Sequence, residues 1–191
     1  MRRFSVLVIG IVCMPSLAAA VLSVHPRNPR YFADGSGGAI YLGGHQIFVD
    51  LQDNSFNKEF TRGYHFTLYD KPFEDPDAEG PEWWRVRSNV GQAVEYSNRL
   101  DLANVSPRGD LASTGFCLAK PDYQYVAYQP GDGPITISGL RAETSYYYEL
   151  YDTGQARVVG EGRIRASGSD ESFESAGKGT VLYISSSIIG E

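Results

Sequence analysis

Three groups of side chains in this 191-residue chain have types that could do chemistry: three histidines, a run of carboxylates and a large number of tyrosines. His25, His45 and His65 stand twenty residues apart, whereas zinc sites take paired ligands only about two to five residues apart. They are expected to be structural or surface histidines, and no metal site is assigned. Gly43-Gly44-His45 follows an apolar run, where a phosphate loop would sit. It lacks the Gly-x-x-x-x-Gly-Lys pattern and a following helix start, so it is not read as a nucleotide site. Seven carboxylates fall between Asp50 and Asp77. A retaining glycosidase holds its two carboxyl groups about 5 to 5.5 Å apart on a rigid scaffold, and carboxylates scattered through a proline-broken loop are read as solvating it instead. No catalytic residue and no cofactor is assigned.

Of the 13 tyrosines, seven lie between Tyr123 and Tyr151. An exposed row of such rings can stack on sugar rings or on proline-rich chains. Side chains alternate along a strand, so if Glu149 faces water, Tyr147 and Tyr151 share its face while Tyr146, Tyr148 and Leu150 point inward. On the neighbouring run, Gln124 facing out brings Tyr128 out with it. Tyr128, Tyr147 and Tyr151 are therefore the candidate ligand-binding residues. The competing reading is that tyrosine simply suits a pleated, half-buried surface.

The elements that would position these residues are short strands. Runs rich in Tyr, Val and Ile at 115–119, 123–128, 135–138, 145–151, 158–166 and 180–185 are separated by turn signals such as Lys120-Pro121-Asp122 and Asp152-Thr153-Gly154. That spacing predicts an antiparallel β-sandwich over 111–187, with the polar stretch 167–175 as a surface loop. Before it, Pro81 at the first position, with Trp83, Val86, Val90, Ala93 or Val94, Ser97 and Leu100 at helical spacing, predicts one amphipathic helix over about 81–104. Gly91 in its interior costs about 1 kcal/mol relative to alanine, so this helix needs a packing partner. Residues 52–80 are polar and read as loop, and 21–51 as short strands broken by Pro26, Pro29 and a glycine-rich turn.

At the N-terminus, Arg2 and Arg3, the apolar run from Phe4 to Met14, and Leu17-Ala18-Ala19-Ala20 predict a secretory signal over 1–20, cleaved after Ala20. The apolar part falls short of the roughly 20 residues that span a bilayer, so no membrane span is expected after cleavage. The signal holds two of the 17 basic and none of the 23 acidic residues, which leaves 15 against 23, a net charge of −8. Nucleic acid is excluded as a partner by that balance. Cys117 is then the single cysteine, so no intramolecular disulfide is expected. The expected location is secreted, periplasmic or extracellular.

The segment Arg99-Leu100-Asp101-Leu102-Ala103-Asn104-Val105-Ser106-Pro107-Arg108-Gly109-Asp110, running on to Gly115-Phe116-Cys117-Leu118-Ala119, resembles a junction in a family of secreted bacterial proteins. In that family a glycoside-hydrolase-like barrel precedes a β-sandwich named as a collagen-binding domain. The resemblance continues through Tyr123-Gln124-Tyr125-Val126-Ala127-Tyr128 to Gly179-Thr180-Val181-Leu182-Tyr183-Ile184. Family members carry a longer Trp- and Pro-containing turn where this chain has Leu150-Tyr151-Asp152-Thr153-Gly154. Upstream, Tyr41-Leu42-Gly43-Gly44-His45 resembles the opening of the barrel, and 61–70 with the Pro81 helix resembles its close. A (β/α)8 barrel needs about 200–250 residues, and Val21 to Asp110 supplies 90, with the seam expected near 53–58.

The chain is thus expected to be mainly β: a C-terminal antiparallel β-sandwich preceded, over 21–110, by a truncated barrel remnant with short strands and one amphipathic helix. The resemblance implies a secreted non-catalytic binding module whose ligand is an extracellular polymer, either a collagen-like protein or a polysaccharide. A remnant or subunit of a glycoside hydrolase and a purely stabilising domain are the alternatives. Trp83, Trp84 and the early strands, if left exposed by the missing barrel, would favour self-association.

Overall fold

The computed structural model describes residues 22–33, 36–46, 61, 66–69 and 81–186, with side chains left out at 43–46, 66–69 and 81–87. The signal at 1–20, the carboxylates from Asp50 to Asp77, the seam at 53–58, His65 and the side chains of His45, Trp83 and Trp84 lie outside the described residues.

The described chain is mainly β, with antiparallel sheets and one long helix. The N-terminal part forms a small antiparallel sheet from β1 (Ser23–Val24), β2 (Phe32–Ala33) and β3 (Ala39–Ile40). A parallel pair joins β4 (Gly43–Gln46) to β5 (Phe66–Tyr69). Helix α1 (Pro81–Arg99) follows. The C-terminal half is built from β6 (Ser106–Pro107), β7 (Cys117–Lys120), β8 (Gln124–Gln129), β9 (Ile135–Ile137), β10 (Ser145–Asp152), β11 (Arg157–Arg165), β12 (Glu171–Phe173) and β13 (Thr180–Ser185). Six of these make one sheet in the order β11-β10-β13-β8-β7-β6, and β9 pairs with β12 in a separate two-stranded sheet, with one further bridge from Ile137 to Ala112.

Strand alternation divides the six-stranded sheet into two apolar faces. Leu118, Val126, Tyr128, Tyr151, Val181 and Tyr183 lie on one, under Ala93 and Tyr96 of α1, Leu100 just after it, and Tyr31. Cys117, Tyr125, Ala127, Tyr146, Leu182 and Ile184 lie on the other, against Ile135, Ile137 and Phe173 of the β9–β12 pair. The result is three layers, so β8 and β13 are buried along their whole length. Strands covered on both faces lose the apolar–polar alternation of a half-wet sheet.

Two elements differ from the reading of the sequence. The stretch 167–175 is not wholly loop: Glu171–Phe173 forms β12, paired with Ile137, Thr136 and Ile135. Its polar composition hides one anchor, Phe173, whose ring meets Tyr148 edge to face at 5.2 Å between centroids. The helix ends at Arg99 rather than near 104, because tertiary partners take over the backbone groups a further turn would use. Gln124 Nε2 donates to the Arg99 carbonyl at 2.8 Å, and the Asp101 N–H donates to Gln124 Oε1 at 2.9 Å. Asn28 Nδ2 then donates to both Leu102 O and Val105 O at 2.8 Å. Orphan carbonyls at a helix end demand such partners, and here they come from a strand and from the N-terminal segment.

Gly91 lies exposed in α1, and a Cβ built there meets nothing within 4 Å. Gly91→Ala should therefore stabilise the fold by about 0.5–1 kcal/mol, read as a higher urea midpoint at unchanged slope. An unchanged or lowered midpoint would show that α1 is not helical through this position in solution.

Candidate functional site

The three candidate tyrosines share the face predicted for them, but that face is covered. Tyr147, Glu149 and Tyr151 alternate along β10 with Tyr146, Tyr148 and Leu150, and Tyr128 reaches the same face through the pairings Tyr151↔Val181 and Val181↔Tyr128. The condition that Glu149 and Gln124 face water is not met: both are buried, under α1 and its C-terminal turn. Tyr128 and Tyr151 are 7% and 2% exposed, and form core rather than an open row of rings. The alternation was right, and α1 supplied the cover that strand periodicity alone does not report.

Tyr151 is tied to the helix. Its hydroxyl donates to Asn89 Oδ1 at 3.0 Å, and Asn89 Nδ2 donates to the Thr153 carbonyl at 3.1 Å. One strand pair further along, Glu149 sits among α1 groups. Tyr96 Oη donates to Glu149 Oε1 at 2.6 Å, and Arg99 Nη1 lies 3.3 Å from both carboxylate oxygens. The guanidinium also lies over the Tyr183 ring, 4.0 Å from its centroid, and Tyr96 stacks on Tyr183 at 5.5 Å with 14° between planes. A buried carboxylate left unpaired costs several kcal/mol, so these two partners are what permits Glu149 to remain here. Burial first, then the Glu149 hydrogen bond and charge, hold the Tyr96 phenol far above the ordinary tyrosine range. Burial alone would lower the Arg99 guanidinium, and the Glu149 charge and hydrogen bond outweigh it and raise it.

Tyr147 differs from the other two because it is half-buried. Its hydroxyl lies 2.6 Å from Glu161 Oε2 and 3.2 Å from Glu149 Oε2. The hydroxyl has one proton to share between two carboxylates, and the shorter distance marks exposed Glu161 as its main acceptor. Exposed Arg163 stands directly opposite Tyr147 on β11. The margin of the sheet beside α1 thus combines an accessible ring with one anionic and one cationic side chain.

Elsewhere, His25 is buried, and its Nδ1 accepts from the Arg27 and Asn28 N–H groups at 3.3 and 3.2 Å. Cys117 is a free, buried thiol pushed up to about 12 by burial, which leaves it unreactive at neutral pH. Among the described residues no three His, Cys, Asp or Glu side chains cluster as metal ligands would, and no helix is long and apolar enough to cross a membrane. The reading of the sequence missed the Tyr96–Arg99–Glu149 group. The three-residue spacing of Tyr96 and Arg99 on one helix face was its available signal.

No protein-family model and no curated protein matches this chain. A solved structure described as a glycoside hydrolase aligns with 68% of this chain at a TM-score of 0.41 and 11% identity. The chain spans only about a third of that structure, 36% of its length.

Tyr96→Phe removes the donor to Glu149 and should destabilise the protein by about 1–3 kcal/mol. Tyr183→Phe should be neutral or slightly stabilising, because the buried Tyr183 hydroxyl has no hydrogen-bond partner among the described residues. Equal losses in denaturant unfolding of the two variants would contradict this assignment. Alkaline behaviour follows from the buried phenols Tyr31, Tyr125 and Tyr151, each raised by burial to about 12. Their folded-state values exceed the unfolded value of about 10, so the stability they contribute is complete below about pH 10 and is lost as pH rises towards 12. Phenolate absorbance followed alongside unfolding should show ionisation coupled to loss of structure. Ionisation of all tyrosines near pH 10 in a folded protein would contradict it.

Proposed function

We propose that this protein is an exported, non-catalytic accessory module that attaches to an extracellular polymer, a collagen-like protein or a polysaccharide, through the margin of its β-sandwich. The observation that carries this reading is Tyr147: alone among the three candidate tyrosines it keeps solvent access, between Glu161, which fixes its hydroxyl, and Arg163 opposite it. A fixed ring flanked by hydrogen-bonding groups can stack on a sugar or proline ring while the flanking groups meet hydroxyls or carbonyls. The resemblance of 99–119 and 123–184 to a family of secreted sandwiches points the same way, as does the predicted signal at 1–20. Tyr128 and Tyr151 enter this reading as the support beneath the contact surface rather than as the surface.

A second reading, that the sandwich only stabilises the segment before it, is favoured by a specific observation. Asn89, Tyr96 and Arg99 of α1 all bond to the sheet or to the loop that follows β10. The two readings part in a pull-down of the mature protein on insoluble collagen and on plant and algal polysaccharides. The wild type should be retained on at least one matrix and Tyr147→Ala about fivefold less, as expected for one lost aromatic contact. Tyr128→Ala and Tyr151→Ala should instead cost about 3–5 kcal/mol of stability. Protein recovered after export should begin at Val21. Absence of retention on every matrix would leave the stabilising role in place of the binding one.

A further inference from the structure

The turn between β7 and β8 presents a second aromatic surface, built differently from the Tyr147 margin. Lys120-Pro121-Asp122-Tyr123 closes with the Tyr123 N–H donating to the Lys120 carbonyl at 3.0 Å. Pro121 at the second position and Asp122 at φ 70° in the third match a type II turn, whose third residue is normally glycine or asparagine. An aspartate there is strained by about 1–2 kcal/mol, and such strain persists only where the surroundings over-determine it. They do so here from beneath. The Asp122 N–H donates to Tyr125 Oη at 2.9 Å, and Tyr146 Oη donates to the Asp122 carbonyl at 2.8 Å. Tyr125 Oη in turn donates to Gly139 O at 2.7 Å, and the Arg141 N–H donates to Tyr146 Oη at 3.0 Å. Two buried phenols thereby clamp this turn to the loop that carries Arg141.

What the clamp holds in the open is the Tyr123 ring, 44% exposed. Lys120 Nζ lies 4.9 Å and Arg141 Cζ 5.8 Å from its centroid. Each cation has its own carboxylate: Lys120 Nζ is 2.8 Å from Asp101 Oδ2, and Arg141 Nη2 is 3.4 Å from Asp122 Oδ2. All four of these charged side chains are at least 32% exposed. The cluster is therefore a partly exposed ring on a rigid turn, with two cations lying over it and a carboxylate paired to each, so that the four charges cancel.

We propose that Tyr123 is the stacking platform of a glycan-binding site for a neutral polysaccharide, with Lys120, Arg141, Asp101 and Asp122 bonding sugar hydroxyls around it. The aromatic face suits the apolar face of a pyranose ring, and paired donors and acceptors suit vicinal hydroxyls, which both give and take hydrogen bonds. Charge selects against an anionic polymer, because the rim is neutral and the whole chain carries a net charge of −6. The inference rests on the binding-module reading and chooses polysaccharide over collagen within it.

Affinity electrophoresis of the mature protein through gels containing hydroxyethylcellulose, galactomannan or alginate, with collagen sedimentation in parallel, tests it. The wild type should be retarded by at least one neutral polymer and not by alginate, and Tyr123→Ala should weaken that retardation about tenfold. Since the ring is exposed, Tyr123→Ala should keep the wild-type melting temperature, and Arg141→Ala supplies an independent variant that should weaken binding as well. Retardation by a neutral polymer that survives Tyr123→Ala but not Tyr147→Ala would overturn the Tyr123 site while sustaining the module. Binding to alginate or collagen alone would do the same. Retention by no polymer would remove both readings.

Discussion

Glu149 is a buried carboxylate on the sheet face that α1 covers, and the way it is satisfied shapes the rest of the protein. Its oxygens take a phenolic donor from Tyr96 and the guanidinium of Arg99, both from α1. Neither partner is dispensable in a region of low dielectric, since a charge removed from water needs hydrogen bonds as well as a counter-ion. The helix must then lie at one position along β10. Once it does, Tyr96 stacks on Tyr183, and the Arg99 guanidinium lies against both rings, 5.2 and 4.0 Å from their centroids. A polar requirement thus sets the register of an otherwise apolar contact.

The middle and the C-terminal end of the helix obey the same logic. Near the middle of α1, Asn89 exchanges hydrogen bonds with Tyr151 and Thr153, and at the C-terminus Gln124 joins the Arg99 carbonyl to the Asp101 N–H. Apolar burial drives the association, but it is non-directional and would accept many orientations. These amides and hydroxyls select one. Asn28, bonded to Leu102 O and Val105 O, extends the arrangement to the N-terminal segment, so the sandwich and the residues before it share one core rather than meeting as separate beads.

That sharing redistributes the aromatic surface. A sheet with a free face would display Tyr128 and Tyr151, whereas here they serve as core, and solvent-facing aromatic character moves to the perimeter, at Tyr147 beside β11 and at Tyr123 on the β7–β8 turn. Perimeter rings depend on rigid support to be useful for recognition, because an aromatic that must be ordered on binding loses part of what it gains. Both have such support: Tyr147 through Glu161, and Tyr123 through a turn fixed by Tyr125 and Tyr146.

Much of this was legible in the residues alone. Period-two alternation assigned Tyr147, Glu149 and Tyr151 to one face and Tyr146, Tyr148 and Leu150 to the other, and helical spacing with Pro81 at the first position located α1. Turn chemistry separated the strands, though it passed over Glu171–Phe173, where a single buried phenylalanine stabilises a strand of polar composition. Alternation, however, says which residues share a face and nothing about what lies on that face. Tyr96 and Glu149 stand 53 residues apart, and no local pattern links them. Local sequence therefore determined the elements and their facing, because dihedral preference and periodicity act over a few residues. Only the tertiary structure decided which tyrosines meet water, because exposure depends on where a distant helix comes to rest.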